Sequence, residues 1–402
     1  MMNSKTLRLV LLVSCAHGLV HVYEHSFASI EQLVAIDPAF GIAAEAQTHV
    51  TGMLGSSLRL PFGMCALLAG WLADRFGTKR LLLLYLLGAS AACAMNWLAP
   101  NLGYLFFSMF TLGVFASIYH PAGVGLISLH TTPENRTMAL GYHGIFGSAG
   151  IASGPFLAGL VLSFGADWRQ YYLVLTIPGV LLAVLLMMRL SHEYNNGPAG
   201  DPDSVPENDD DGACWKSYFV LIALASLAGF VYAAILNFMP RYIDGAGLNL
   251  ANIPHEALRN YLTGGILLLG VLGQYAAGRI ARPTTLEPLL AGAFFLAAPC
   301  ILWMGFAQGS ARLWAAGLFA PVFFMHQPLF NSLVAKYVPR RRRSLCYGLS
   351  FTVGFGIGSL GPTFSGFAGS DLANYSTLAG VLSLAACLGL LLWRWNRPVA
   401  AG

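Results

Sequence analysis

The 402-residue chain is 56 % hydrophobic and only 10 % charged, with a formal net charge of +4 and a mean hydropathy of +0.63. Soluble domains carry about 25 % charged residues, so this composition cannot clothe a water-facing surface, and lipid must cover most of the exterior. A membrane span needs roughly 20 apolar residues and a short loop, so the length holds about twelve spans and excludes a sizeable soluble domain.

Apolar runs separated by short polar breaks predict spans over 7–34, 48–72, 79–98, 103–130, 137–164, 169–190, 216–240, 258–280, 286–306, 311–335, 345–368 and 372–395. Helices are expected because every backbone amide in lipid needs an internal partner. A β-barrel would show ten-residue alternating segments, and none occur. The basic start of the chain reads as a retained first span, since His17, His21, Glu24 and His25 interrupt its apolar run and no small-residue cleavage site follows. At about 100° per residue these four side chains fall near 0°, 40°, 340° and 80° around the helix axis, in one stripe. Ionisable groups inside a span are costly and mark function by default, so the stripe is expected to line a central cavity. Arg59, inside the second span, is the expected partner of Glu24. Pairing makes both charges tolerable. A lipid-edge Glu24 whose head snorkels into water is the competing reading.

The loop after the second span reads Gly70-Trp71-Leu72-Ala73-Asp74-Arg75-Phe76-Gly77-Thr78-Lys79-Arg80. Its glycines allow a tight turn and close helix packing. Asp74, an acid among bases, is placed to pair across a seam and act with Arg75 as a gate. The fourth span carries Tyr119-His120-Pro121 and the fifth carries Gly141, His143, Gly150, Gly154-Pro155 and Gly159, a small-residue face on which Pro155 is expected to bend the helix. Residues 191–215, rich in Pro, Gly, Asp and Asn, read as a disordered linker. They divide the chain into six-helix parts, 1–190 and 216–402. The parts resemble each other. His120, Gly141, Gly147, Gly154-Pro155 and Gly159 recur as His326, Gly348, Gly354, Gly361-Pro362 and Gly366, at an offset of 206 to 207. Such repeats place a substrate site at their interface near the midplane. In the second part Gln274, Gln327 and Asn331 are available to hydrogen-bond a substrate or to tie helices together. His120, His143 and His326 serve equally well as neutral packing residues.

With an even number of spans both termini share a side. All Lys and Arg residues except Arg59, Arg169, Arg241, Arg259 and Arg312 fall on that side, which places both termini, the acidic linker and the Asp74 loop in the cytoplasm. The Arg340 to Arg343 cluster is explained by the same rule, without nucleic acid. The seven cysteines form no CxxC or other metal-ligand spacing. No Asp or Cys cluster completes a site with the span-1 histidines, so neither a metal nor a cofactor is expected. There is no P-loop and no nucleophile–base arrangement, so no enzyme is expected either.

The Gly70–Arg80 segment resembles the signature loop of the major facilitator superfamily, G-x-L-A-D-R-x-G-x-K-R. Gly273 to Arg279 resembles a degenerate second copy without the Asp. The fifth-span glycines and Pro155 resemble the motif of the antiporter branches, with Ala158 where that motif prefers Gly. Span 4 lacks the buried Arg usual in the drug exporters, and its His-Pro resembles the fosmidomycin-resistance branch. The resemblance implies two pseudo-symmetric six-helix halves. It also implies a monomer in the cytoplasmic membrane that exports a small organic molecule in exchange for protons by alternating access. An uptake symporter and a non-transporting receptor or assembly protein are the alternatives it leaves open.

Overall fold

The computed structural model describes residues 4–131, 133–190, 213–339 and 342–396. The expected linker therefore lies, up to residue 212, outside the described residues, as do Arg340, Arg341 and Arg397. The described chain is helical, with no strand among the described residues. In order come α1 (Ser4–Ala35), a 3-10 turn (Ala44–Ala46), α2 (Gln47–Met64), α3 (Ala66–Phe76), α4 (Thr78–Trp97), α5 (Leu102–Ser117), α6 (Tyr119–Leu129), α7 (Pro133–Ser163) and α8 (Trp168–Arg189). There follow α9 (Trp215–Asp244), α10 (His255–Ile280), α11 (Leu286–Phe306), α12 (Ala311–Phe324), α13 (His326–Tyr337), α14 (Arg343–Gly358), α15 (Leu360–Phe367) and α16 (Asp371–Trp395). Among the described residues, 10 helical stretches are long and apolar enough to cross a membrane, and the α2–α3 pair, bent by 44°, is an eleventh. The α14–α15 pair occupies 343–367, the place of the eleventh expected span.

Proline chemistry explains three of the interruptions. A proline lacks the N–H that would bond the carbonyl four residues back, and its ring crowds that carbonyl. For Pro121, Pro328 and Pro362 that carbonyl belongs to Ser117, Phe324 and Gly358, the last residues of α5, α12 and α14. The connecting Ile118, Met325 and Ser359 keep right-handed helical dihedrals, so each span slips its hydrogen bonding without turning. Pro155 behaves differently: α7 runs through it uninterrupted. Asn101, Asp167 and Ser370 cap α5, α8 and α16 by accepting from backbone amides of the first turn.

Buried apolar side chains form two clusters among the described residues. One runs from Leu9 to Leu190, and the other from Tyr218 to Leu392, with Ile151 and Ala152 of α7 added to it. Small residues set the approach of the helices. A Cβ on Gly150 would lie 2.7 Å from the Gly18 Cα, and one on Gly154 3.3 Å from the His25 Cβ, so α7 packs backbone-close on α1. One on Gly159 would lie 2.9 Å from the Tyr261 ring, which brings α7 against α10. Gly141 faces open space. The fifth-span glycine face thus serves two partners, α1 and α10, and Gly141 takes no part. Gly150→Ala should therefore cost about 1–3 kcal/mol by forcing α1 from α7, while Gly141→Ala should stay within about 0.5 kcal/mol. Thermal unfolding of the two purified variants checks the contrast.

Candidate functional site

Helix α1 is enclosed by neighbours from Leu19 to Glu31, every residue of that stretch being buried. Its polar stripe therefore meets protein and not lipid. Glu24 and Arg59 are each 2 % exposed, and Arg59 Nη1 donates to Glu24 Oε1 at 2.6 Å. The second carboxylate oxygen lies 2.7 Å from His21 Nδ1. Arg59 Nη2 is 3.4 Å from His25 Nδ1, whose Nε2 is 2.9 Å from the Tyr232 hydroxyl on α9. The guanidinium also sits 5.6 Å from the centre of the Tyr232 ring. The carboxylate thus has a charged partner and a second hydrogen bond, as a buried charge requires, and the lipid-edge placement of Glu24 does not occur.

One turn back along α1 is a layer of imidazoles. His17 Nδ1 donates to the His143 carbonyl at 2.7 Å, and the two rings stack with centroids 3.8 Å apart. The Tyr119 hydroxyl donates to the Val13 carbonyl at 2.7 Å, so at its 3.0 Å contact with His143 Nε2 it is the acceptor. His120, at the start of α6, packs 5.3 Å from His17, 5.5 Å from His21 and 4.4 Å from Phe351 of α14. One nitrogen from each of His17, His21 and His120 lies within 4.8 Å of the others. The spacing of the span-1 histidines gave no third ligand, but His120 from another span joins His17 and His21.

The remaining cavity candidates lie elsewhere. His326 Nδ1 donates to the Phe323 carbonyl at 2.6 Å, and the ring packs on Phe294 and Phe323. Gln327 accepts from Gln274 at 2.7 Å, and Gln274 in turn accepts from Ser148, a chain that ties α7, α10 and α13. Asn331 is exposed, and its carbonyl accepts from Tyr347 at 2.7 Å. In the Asp74 loop, Gly77 adopts φ +91°, a conformation suited to glycine. Lys79 is buried and donates to the Leu190 carbonyl, while Arg75 lies over Trp71 and Phe76. Gly70 has room for a Cβ 3.5 Å from Pro121. Asp74 and Arg80 are exposed, and Asp74 makes no hydrogen bond or ion pair among the described residues.

At the other end of the bundle is a set of contacts that sequence reasoning missed. Arg241 of α9 forks onto Glu31 of α1, Nε to Oε2 and Nη2 to Oε1, both at 2.9 Å, and Thr51 donates to the same carboxylate. Gln32 donates to Asp244 at 3.0 Å, Asn260 to the Ser29 carbonyl at 2.9 Å, and Thr363 to Ser56 at 2.7 Å. All of these except the Thr51 contact join α1 or α2 to α9, α10 or α15. The signal was present: Glu31 stands seven residues beyond Glu24, about 20° away on the same helical face. The four arginines assigned to this end all face acids, Arg169 with Asp37, Arg241 with Glu31, Arg259 with Asp244 and Arg312 with Asp371. In the loop after α1, burial works to raise the Asp37 pKa. Hydrogen bonds from Arg169, the Ala39 amide and Trp168 outweigh it and hold the carboxyl below its usual range.

Residues 27–362 match the family model of the Major Facilitator Superfamily. The puromycin resistance protein pur8 of Streptomyces alboniger is 38 % identical over 141 residues, 35 % of this chain and 28 % of that protein. The probable actinorhodin transporter of Streptomyces coelicolor is 26 % identical over 267 residues, 63 % of this chain and 44 % of that one. The multidrug efflux pump LfrA of Mycolicibacterium smegmatis is 33 % identical over 140 residues, 34 % of this chain and 27 % of the pump. The chain spans less than half the length of each of these relatives. Among solved structures, a bacterial homolog of the human lysosomal transporter Spinster superposes with a TM-score of 0.75 at 13 % identity, covering 100 % of both chains. The xylose transporter XylE from E. coli superposes with 0.75 at 15 %, covering 98 % of this chain and 97 % of XylE. At these identities the structural likeness shows the fold alone.

Arg59→Met should cost about 3–5 kcal/mol, because it leaves the Glu24 carboxylate buried without its cation. The double variant with Glu24→Gln should recover most of that loss, as read from melting temperatures in a double-mutant cycle. Arg241→Ala should loosen the far end of the seam. With a Ser56→Cys reporter in an otherwise cysteine-free chain, thiol labelling should speed up by about tenfold or more if the seam opening costs about 1.4 kcal/mol less.

Proposed function

This chain belongs to the major facilitator superfamily of transporters, and we propose that it exports a small organic molecule in exchange for protons by alternating access. The observation that carries the proposal is the Glu24 carboxylate, buried and shared between Arg59 and His21 in the middle of α1. A carboxylate held by a cation in a dry site stays ionised only while the partner remains. A substrate bound against the ionised pair and a proton on Glu24 would exclude one another, so substrate and proton compete for one site. The two helical parts, 1–190 and 216–402, would rock about this site as a monomer, with the Glu31–Arg241 seam closing one end. The Asp74–Arg75 loop would close the other, which on the positive-inside rule is the cytoplasmic end of a protein in the cytoplasmic membrane.

Export is supported by the glycine face that holds α7 close on α1 and α10, and by relatives whose names are those of resistance and efflux proteins, each matched over part of its length. A proton gradient should then load everted vesicles, with puromycin as the first probe because of the 38 % identical segment. Glu24→Gln should lose more than about 90 % of the proton-driven uptake while substrate binding persists. Loading of right-side-out vesicles instead would identify an uptake symporter. Full proton-driven transport by Glu24→Gln would remove Glu24 from the coupling step. Dispensability of Glu24, Arg59 and Asp74 together would leave a receptor or assembly role on the same fold.

A further inference from the structure

His17 and His21 stand one turn apart on α1, and their Nε2 atoms are 3.2 Å from each other. The opposite nitrogen of each ring is already committed. His17 Nδ1 donates to the His143 carbonyl, which can only accept. His21 Nδ1 faces the Glu24 carboxylate, which accepts as well. In the neutral rings both Nε2 atoms therefore present lone pairs to one another. Two lone pairs at this distance repel, and the contact is sound only with a positive centre between them, a proton on one ring or a metal ion.

A third imidazole favours the metal. His120 Nε2 is buried without a hydrogen-bond partner among the described residues, and one ring nitrogen of His120 lies within 4.8 Å of a nitrogen of each of His17 and His21. A single proton bridges two nitrogens and leaves the third unsatisfied. A metal ion satisfies all three. With metal–nitrogen bonds of about 2.0–2.1 Å, neighbouring ligand nitrogens in a tetrahedral shell lie about 3.3 Å apart, which is the spacing His17 and His21 already show. The outer contacts also suit a metal. A carboxylate behind one imidazole and a backbone carbonyl behind another fix the ring orientation and raise the basicity of the facing nitrogens.

We infer that His17, His21 and His120 form a binding site for one divalent transition-metal ion, with a fourth position left for water or a ligand atom. Three imidazoles select borderline ions such as Zn²⁺, Co²⁺, Ni²⁺ and Cu²⁺ over Mg²⁺ and Ca²⁺, which require oxygen ligands. The site lies between α1 and α6, beside the Glu24–Arg59 pair, and does not depend on the direction or the cargo of transport.

Tag-free protein in detergent, titrated with Co²⁺, should show saturable binding of one ion with the intense visible bands of a four-coordinate site. Zn²⁺ should displace the cobalt, and Mg²⁺ should not. His17→Gln and His120→Gln should each weaken binding by at least about tenfold. His130→Gln should leave it unchanged, since His130 lies at the far end of α6 with its Nδ1 donating to the Leu126 carbonyl. X-ray absorption of the zinc-loaded unmodified protein gives a reading that no variant's folding can confuse: three imidazole nitrogens at about 2.0–2.1 Å are expected. Absence of binding at micromolar metal, unchanged affinity in either variant, or fewer than three histidine ligands in the absorption spectrum would each overturn the site.

Discussion

The ion pair between Glu24 and Arg59 imposes the constraint around which the rest of this protein is arranged. Each charge alone would cost several kcal/mol in a dry interior, and the lipid that surrounds the bundle offers no relief. Both groups must therefore sit where helices from several directions can enclose them. α1 meets this need by being buried on all sides from Leu19 to Glu31. That enclosure in turn demands backbone-close neighbours, which Gly18 and Gly150 permit. Tyr232 from α9 completes the shell by touching both His25 and Arg59. The charged groups of the site thus come from α1 and α2, and Tyr232 of α9 closes over them.

Much of this was legible in the sequence, for a definite reason. The stripe of His17, His21, Glu24 and His25 lies within one helix, where spacing alone determines which side chains share a face. The Glu24–Arg59 contact was legible because a lone cation within an apolar run needs an acid nearby. The Gly77 turn was legible because the loop pattern demands a residue free to adopt positive φ. The crossing of the chain into helical spans followed from composition alone.

What stayed hidden depends on how helices cross. Nothing in linear spacing brings His120 of α6 and His143 of α7 to His17, because crossing angles and small-residue contacts decide that. The repeat also misled at one point. His326 mirrors His120 in sequence and at a matching helix break, since Ile118 and Met325 both precede a proline by three residues. Yet α9 carries no charged or histidine residue from Ser217 to Pro240, so His326 finds Phe294 and Phe323 in place of a polar cluster. The repeat preserved the backbone joint and lost the chemistry. The Glu31–Arg241 contact stayed hidden because Arg241 was read only for its side of the membrane, and Glu31, on the helical face of Glu24, was not read at all.

The concentration of ionisable groups on α1 has an electrical consequence. Glu24 and Arg59 together sum to zero, so the paired site can be exposed to either side of the membrane without moving net charge through the field. A proton on Glu24, as the proposed coupling requires, would leave the guanidinium as an unbalanced unit charge. A full transit of that charge is worth about 2.3 kcal/mol per 100 mV. Under the proposed coupling, the same two side chains would decide which half of a working cycle is silent to voltage and which half is driven by it.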